Sequence, residues 1–269
     1  NGPLDLNTTG TGQLYLCNSG VDNYNADITV SSTGGGGVRF GDGGGTGILA
    51  AGRTLRTGAA GFNSGLLLIR GFQQLGGTPQ TIALTGTADL YLRTGTTFNG
   101  ALDATAARIM LDGGTYNAPA RFTMTSGSGG AGAGGCVFNS SVELTTTGAG
   151  TMFLDVTNSD AFNGDILVNS TAGGGGIWFG YGTGTGTLAA GHTISVGSAG
   201  FVSGSLTLQN FTQLGATPQS LVLSGTATLN FNAGSTFNGA ITSASPRLAF
   251  NGSTFNDAVN ATMNGAYAV

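Results

Sequence analysis

The sequence repeats itself at a long period, and this repetition limits the chain to few architectures. Residues 38–124 align with residues 177–263 at a constant offset of 139 and without a gap; "FQQLGGTPQTIALTGTADL" aligns with "FTQLGATPQSLVLSGTATL". Upstream of residue 38 the offset is 138, so that Asn1 corresponds to Asn139. We therefore divide the chain into copy 1, residues 1–138, and copy 2, residues 139–269, which is truncated. Self-similarity at a fixed period is typical of solenoids and related repeat proteins.

A shorter period runs inside each copy. An aromatic residue followed by Asn recurs at spacings near 18 to 24 residues, or near twice that. Short alternating segments such as "DLYL" and "RLAF" lie between these steps, and Gly and Asn turns separate them, which is the pattern of short strands. The aromatic–Asn steps are Tyr24–Asn25, Phe62–Asn63, Phe98–Asn99, Tyr116–Asn117, Phe138–Asn139, Phe162–Asn163, Phe237–Asn238 and Phe255–Asn256, with Phe201 followed by Val202 instead.

The short period predicts one coil of a right-handed parallel β-helix, in which each coil stacks on the next at about 4.8 Å. At roughly 18–24 residues per coil, we expect one continuous all-β solenoid of about 12–14 coils. The main alternative is an array of two β-sandwich domains of about 139 residues each, which long hairpins with alternating faces would favour. Recurrence of one phrase after 18 residues favours the β-helix.

The aromatic–Asn step has a specific expected role in such a coil. The aromatic ring points into the core and stacks on the rings of neighbouring coils. The Asn occupies a turn, where it tolerates the left-handed region and can bond to the next coil. The Gly that often follows is expected to supply a positive φ for a tight bend.

Composition agrees with an all-β chain and excludes two classes of partner. Gly supplies 52 residues, Lys is absent and only 7% of residues are charged, while 39% are hydrophobic, so the chain can bury a core but forms few helices. The formal charge is −4 and the eight Arg residues are scattered, which predicts no binding to nucleic acid. No apolar run approaches the length of a membrane helix, so we expect no membrane insertion.

The two cysteines are expected to be free, buried thiols. Cys17 and Cys136 would lie about six coils apart in a solenoid, far beyond the roughly 7 Å between Cα atoms that a disulfide allows.

Two acidic pairs are the candidate metal ligands. Asp22 with Asp27 recurs as Asp160 with Asp165, and each pair flanks an aromatic–Asn step. A loop calcium site would use such carboxylates. Capping of a turn, or simple exposure to solvent, is the alternative for the same four residues.

No catalytic constellation is expected, and no cofactor. Glycosidases and polysaccharide lyases need clustered acids and bases on adjacent coils. Asp89 and Asp103 of copy 1 become Thr228 and Thr242 in copy 2, and most of the Arg residues are replaced as well. The Gly-rich segments do not precede a helix, so they do not form a phosphate-binding loop.

Two aromatic residues of copy 2 indicate a different function. Trp178 replaces Arg39, and Tyr181 replaces Asp42. We expect both rings to be exposed, where they can stack on carbohydrate.

The ordered phrases "TFNG", "PRLAFNGSTFN", "GGGGIWFG" and "QLGATPQSLVLSGTATLNF" resemble the long tandem-repeat proteins that Bacteroidota-type bacteria export to their surface or surroundings. The resemblance implies an extracellular or cell-surface location and a structural repeat module of a fibre, stalk or adhesin, without catalytic activity. The alternative is a carbohydrate-binding or polysaccharide-processing β-helix. The expected partners are identical repeats, in the same chain or in neighbouring subunits beyond Asn1 and Val269, together with surface glycans.

Overall fold

A computed structural model describes residues 2–127 and 129–265 of the chain. It confirms the all-β parallel β-helix: throughout these residues the chain forms strands and turns, and no residue is helical. Across the same residues no helix is present that has the length and hydropathy to cross a bilayer. Asn1 and Val269, where we expected contact with further copies, lie outside the described residues.

The strands are short in both copies. Those of copy 1 are β1 (Leu4–Thr8), β2 (Gln13–Leu16), β3 (Val21–Tyr24), β4 (Ile28–Ser32), β5 (Gly37–Phe40), β6 (Thr46–Leu49), β7 (Leu55–Phe62), β8 (Leu66–Ile69), β9 (Phe72–Gln74), β10 (Gln80–Ala83), β11 (Asp89–Arg93), β12 (Thr97–Phe98), β13 (Leu102–Ala106), β14 (Arg108–Asp112), β15 (Thr115–Tyr116), β16 (Ala120–Met124), β17 (Gly130–Ala131) and β18 (Val137–Phe138). Those of copy 2 are β19 (Val142–Thr146), β20 (Met152–Leu154), β21 (Asp160–Phe162), β22 (Ile166–Ser170), β23 (Ile177–Phe179), β24 (Gly186–Leu188), β25 (Ile194–Phe201), β26 (Ser205–Leu208), β27 (Phe211–Gln213), β28 (Gln219–Val222), β29 (Thr228–Asn232), β30 (Thr236–Phe237), β31 (Ile241–Ser245), β32 (Arg247–Asn251), β33 (Thr254–Phe255) and β34 (Val259–Met263).

Every third strand belongs to the same parallel sheet, so a coil has three sides. Sheet A contains 12 strands, from β1 through β4 and every third strand to β34, and sheet C contains 11 strands, from β3 to β33. The remaining side is divided into sheet B, with five strands from β2 to β14, and sheet D, with six strands from β17 to β32. Backbone hydrogen bonds therefore run from coil to coil, along the axis of the solenoid.

The number of coils agrees with the sequence, but some coils are longer than expected. The described residues form 11 complete coils of three strands, followed by β34 as the twelfth strand of sheet A, at the lower end of the expected 12–14. The rise from one sheet A strand to the next takes as few as 18 residues (Leu102 to Ala120) and as many as 28 (Ile166 to Ile194). The longest coils include an outward bulge, because β7 and β25 each have eight residues and fall out of register with the preceding strand.

The two copies join within continuous sheets. β16 of copy 1 pairs with β19 of copy 2 over five residues, from Ala120 with Val142 to Met124 with Thr146. Sheets A and C thus pass from one copy to the next without interruption. Only the third side is interrupted, between β14 and β17, where the chain is rich in Gly.

One inward-facing column of sheet C holds most of the aromatic–Asn steps. Register places Tyr24, Leu49, Gln74, Phe98, Tyr116, Phe138, Phe162, Leu188, Gln213, Phe237 and Phe255 at the same position of successive coils. We call this set the aromatic column. Its rings lie close to parallel where they are adjacent: the centroids of Tyr116 and Phe138 are 4.9 Å apart at 10°, and those of Phe138 and Phe162 are 5.1 Å apart at 7°. The column is therefore a stack that runs along the axis.

Phe62 and Phe201 do not belong to the aromatic column, and their assignment to the same ladder was wrong. They end the two bulged strands of sheet A, where Phe62 pairs with Ser32 and Phe201 with Ser170. Both rings are buried, but on a different side of the coil. The bulge inserts residues before each Phe, so the spacing in sequence no longer reports the side of the coil.

Four buried residues outside the aromatic–Asn steps lie in the aromatic column or beside it. Gln74 and Gln213 take the place of a ring, and the Oε1 of Gln74 accepts from the backbone N–H groups of Asn99 (3.1 Å) and Gly100 (3.0 Å). At the same levels Phe72 and Phe211 fill the core, and Phe72 lies 6.2 Å from Phe98 between ring centroids. All four recur in the matching phrases "FQQLGGTPQ" and "FTQLGATPQ", which is the signal that would have identified them.

The Asn side chains form hydrogen-bonded ladders on the outside of the column. The Nδ2 of Asn117 donates to the Oδ1 of Asn99 (2.6 Å), Asn139 donates to Asn117 (2.7 Å), and Asn163 donates to Asn139 (2.9 Å). Asn256 donates in the same way to Asn238 (2.7 Å). Asn25 and Asn63 are not part of these ladders. The residue opposite Asn25 on the next coil is Ala50, and Asn63 follows the bulged strand β7 of sheet A.

The backbone at these turns differs from the expectation. The Asn residues of the column do not adopt positive φ; among the described residues other than Gly, only Cys17, Asp155 and Asn210 do. Gly100, Gly164 and Gly239, which follow three of the Asn residues, do not adopt positive φ either. A Cβ at these glycines would collide with the backbone of the preceding coil, at Thr78, Ser140 and Thr217 respectively. These positions therefore require Gly because neighbouring coils approach closely there, and not because the backbone needs a positive φ.

Replacing Asn139 with Asp tests the Asn ladder. An Asp side chain can still accept from Asn163, but it cannot donate to Asn117 and places a charge beside the Asn117 oxygen. We expect the free energy of unfolding to fall by about 1 kcal/mol, the usual contribution of one hydrogen bond. Chemical denaturation measures this, with Asn25→Asp as the matched control because Asn25 faces Ala50. Equal effects of the two substitutions would contradict a stabilising ladder.

Candidate functional site

The two acidic pairs cap backbone turns. Asp27 accepts from the backbone N–H of Thr54 through Oδ1 (2.9 Å), and Asp165 accepts in the same way from Thr193 (2.8 Å). Asp22 accepts from the N–H of Cys17 (2.6 Å). The members of each pair thus bind different parts of the backbone, as turn-capping carboxylates do. Within the described residues no group of three His, Cys, Asp or Glu is placed to hold a metal ion.

Asp160 belongs to a buried cluster that the sequence did not suggest. Its Oδ1 accepts from the N–H of Cys136 (2.7 Å) and its Oδ2 from the N–H of Asp155 (3.3 Å), while the Oδ1 of Asp155 accepts from the N–H of Asp160 (2.8 Å). Both carboxyl groups are buried, and the Oδ2 of Asp155 has no hydrogen-bond partner. Burial, and then the charge of Asp160, raises the pKa of Asp155 well above its usual range. Burial raises the pKa of Asp160 as well, but hydrogen bonds from the backbone N–H groups of Cys136 and Asp155 oppose that rise, so the fold favours the protonated form more strongly at Asp155.

The cysteines are free and buried. Burial raises the pKa of the Cys17 thiol, and it raises that of Cys136 further, with a contribution from Asp160. Both groups are thiols rather than thiolates at neutral pH, so neither has the character of a nucleophile.

In copy 1 the outer face of sheet B carries several ion pairs. Arg39 contacts Asp42 at 2.9 Å, and Arg93 contacts Asp112 at 3.1 Å. Arg108 binds Asp89, and its guanidinium lies over the ring of Tyr91. This face is polar and internally neutralised.

In copy 2 the equivalent face, on sheet D, keeps Arg247 at the position of Arg108 but otherwise carries aromatic and neutral polar side chains. The rings of Phe153, Trp178 and Tyr181 form a cluster, with centroids 6.0 Å apart for Phe153 and Trp178, 4.5 Å for Phe153 and Tyr181, and 4.9 Å for Trp178 and Tyr181. Tyr181 is 48% exposed, whereas Trp178 is only partly exposed, contrary to the expectation for that ring. The alignment replaces Tyr15, Arg39 and Asp42 by these three residues. The face has therefore exchanged an ion pair for an aromatic cluster.

A groove of about 400 Å³ adjoins Trp178. Its polar side chains are Thr151, Ser205, Thr207, Asn230 and Asn232, and glycines supply much of the remaining lining. None of the lining residues is charged. The Nδ2 of Asn230 donates to the Oγ1 of Thr207 (3.1 Å), while the indole Nε1 of Trp178 is buried without a hydrogen-bond acceptor. The groove thus combines an aromatic edge with hydroxyl and amide groups.

A second groove lies on the outer face of sheet A and is charged. Register places Asp103, Arg121 and Glu143 on three successive coils, and the Nε of Arg121 donates to the Oε2 of Glu143 at 2.9 Å. Arg121 thus stands between the two carboxylates and is paired with one of them. Copy 2 has Thr242 and Asn260 at the positions of Asp103 and Arg121.

Comparison with protein-family models, with curated proteins and with solved structures finds no match to this chain.

Proposed function

We propose that this chain is a non-catalytic structural repeat module of an extracellular fibre, stalk or adhesin, exposed at the cell surface. The observation that carries the proposal is the junction of the two copies. β16 and β19 pair in the same parallel register that joins coils within a copy, so a further copy can be added without a new kind of contact. A protein that extends over a long distance can be built from many such units.

The arrangement of the acidic side chains supports a role without catalysis. Asp27, Asp160 and Asp165 accept from backbone N–H groups, and Asp89 and Glu143 are paired with Arg side chains. General acid–base catalysis requires a carboxyl group that is directed at a substrate. These carboxylates are instead engaged in holding the coils together.

The alignment also predicts how one copy would meet the next. β34 is the counterpart of β16, and β1 is the counterpart of β19. Val259 of one copy would therefore pair with Leu4 of the following copy, and Met263 with Thr8, as Ala120 pairs with Val142 and Met124 with Thr146. Identical repeats are the partners in this proposal, whether they belong to one chain or to neighbouring subunits.

Small-angle X-ray scattering tests the proposal on chains that contain the repeat two, four and six times. Each copy contributes six coils, so the particle should lengthen by about 30 Å per copy at a coil spacing of about 4.8 Å. We expect its cross-section to stay constant. Growth of all three dimensions together would refute the fibre, because it would mean that the copies fold back on one another.

A further inference from the structure

We propose that the groove beside Trp178 binds a neutral oligosaccharide, laid along the axis of the solenoid. This binding function goes beyond the structural role and rests on separate residues, on the outer face of sheet D. Its failure would leave the proposed fibre intact, since the junction of the copies involves sheets A and C.

The chemistry of the groove matches that of a sugar ring. A sugar ring has apolar C–H faces and a rim of hydroxyl groups, so a site for it needs an aromatic surface beside groups that can both donate and accept hydrogen bonds. Trp178 supplies the aromatic surface, and the Asn and Thr side chains supply the amide and hydroxyl groups. Sites for small ligands commonly have this form, with few polar groups set in a concave surface.

The indole ring of Trp178 is held in place with its nitrogen turned away from solvent. The Nε1 of Trp178 is buried and has no acceptor, although a buried indole N–H usually finds one. Because this nitrogen is buried while the residue is partly exposed, the exposed part of the indole is its carbon surface, on which a sugar ring can stack. The aromatic cluster with Phe153 and Tyr181 fixes the ring, so that little side-chain entropy is lost on binding.

The spacing of the coils matches the spacing of sugars in a linear oligosaccharide. Register places Phe153, Trp178, Thr207 and Asn230 on four successive coils in one row. The coils are about 4.8 Å apart, close to the length of one pyranose ring in a chain. A linear oligosaccharide along the row would therefore meet an aromatic ring first and then polar side chains, one coil for each sugar.

The absence of charged side chains in the groove favours a neutral ligand. Its lining residues carry no charge, so an anionic glycan would lose its hydration without gaining a cation. Copy 1 offers the internal comparison: Arg39 stands at the position of Trp178, and Tyr91 and Arg93 stand at the positions of Asn230 and Asn232. Because these residues form ion pairs and a cation–π contact, we expect no binding to copy 1.

Tryptophan fluorescence tests the proposal directly, because Trp178 is the single Trp of the chain. The whole chain is titrated with the hexaoses of cellulose, xylan, mannan, laminarin and chitin, and with an oligogalacturonate as the anionic comparison. We expect a saturable change in emission with at least one neutral hexaose and none with the oligogalacturonate. Isothermal titration calorimetry with that hexaose then gives the affinity of the variants.

Trp178→Arg, which introduces the copy 1 residue, should weaken binding at least tenfold. Asn230→Asp keeps the fluorescent ring but adds a carboxylate to the groove, and it should also weaken binding at least tenfold. Tyr15→Ala, on the equivalent face of copy 1, should leave the affinity unchanged, and circular dichroism verifies that each variant is folded. Absence of binding to every neutral hexaose, binding of the anionic oligomer alone, or an affinity that Trp178→Arg and Asn230→Asp both leave unchanged would overturn the proposal.

Discussion

Replacing Phe138 with Ala is expected to lower the free energy of unfolding by about 3–5 kcal/mol, the usual cost of removing a buried aromatic ring. Phe138 is 1% exposed and lies near the middle of the aromatic column. Its ring stacks on Tyr116 below and Phe162 above, and it meets Phe122 edge-on at 6.4 Å. Loss of the ring therefore leaves a cavity that is lined by the three neighbouring aromatic rings. Urea denaturation followed by circular dichroism measures the change.

Two variants control this experiment. Phe138→Leu should cost less than about 1.5 kcal/mol, because Leu49 and Leu188 occupy the same column elsewhere. Tyr15→Ala removes a ring that is 55% exposed and should cost little. If Phe138→Ala were no more harmful than Tyr15→Ala, the column would not be a source of stability.

Replacing Asp155 with Asn is expected to stabilise the chain at neutral pH but not at pH 3. Asn fits the site, because its Oδ1 can still accept from the N–H of Asp160 and its uncharged amide group cannot ionise in the buried position. The folded chain raises the pKa of Asp155, chiefly through burial and then through the charge of Asp160, whereas the unfolded chain leaves this pKa at 3.8.

The sign of the effect follows from proton linkage. Below pH 3.8 the Asp155 carboxyl is protonated in both states, and its contribution to stability is fully present. As the pH rises toward the folded pKa, the unfolded state releases the proton while the folded state retains it, so the wild-type chain becomes progressively less stable. Each unit by which the fold raises this pKa costs about 1.4 kcal/mol at a pH above it. The Asn variant has no ionisable group at this position, so it does not lose stability in this way as the pH rises.

Thermal unfolding between pH 3 and pH 8 measures the difference between the wild type and Asp155→Asn. The difference should be small at the acid end and should grow with pH. Asp165→Asn is the control, since Asp165 is exposed. A variant that is less stable than the wild type at pH 8 would show that Asp155 is needed in its ionised form.

The fold class could be predicted because two periods in the sequence coincide with two repeats in space. The long period gives the length of a copy, and the short period gives the length of a coil. This works because stacked coils place equivalent residues at equivalent positions. Phe62 and Phe201 show where this reasoning ends. Both residues occur in the aromatic–Asn pattern, but the side of the coil to which each ring belongs depends on the bulges of β7 and β25. The three extra residues in each of these strands are not visible in the aromatic–Asn pattern itself.

The sites were harder to predict than the fold. Trp178 and Tyr181 were recognisable as substitutions between the copies, but Phe153 and the polar groove beside them arise from register between β20, β23, β26 and β29. The buried Asp155 was missed because its counterpart in copy 1 is Cys17, so the alignment presents an ordinary substitution. The buried Asp160 carboxylate accepts from the backbone N–H of Cys136 in the preceding coil, a contact between residues 24 positions apart in the sequence.

The direction of the hydrogen bonds has a mechanical consequence. Because backbone bonds join coil to coil along the axis, a tensile force on the two ends of the solenoid acts in line with them, and each coil touches only its neighbours. Coils should therefore peel away one after another instead of shearing together. A peeled coil of 18 to 28 residues extends to roughly 60–95 Å, against the 4.8 Å or so that it occupied. Under tension such a filament would yield in many small steps and lengthen more than tenfold, dissipating work while the remaining coils stay intact.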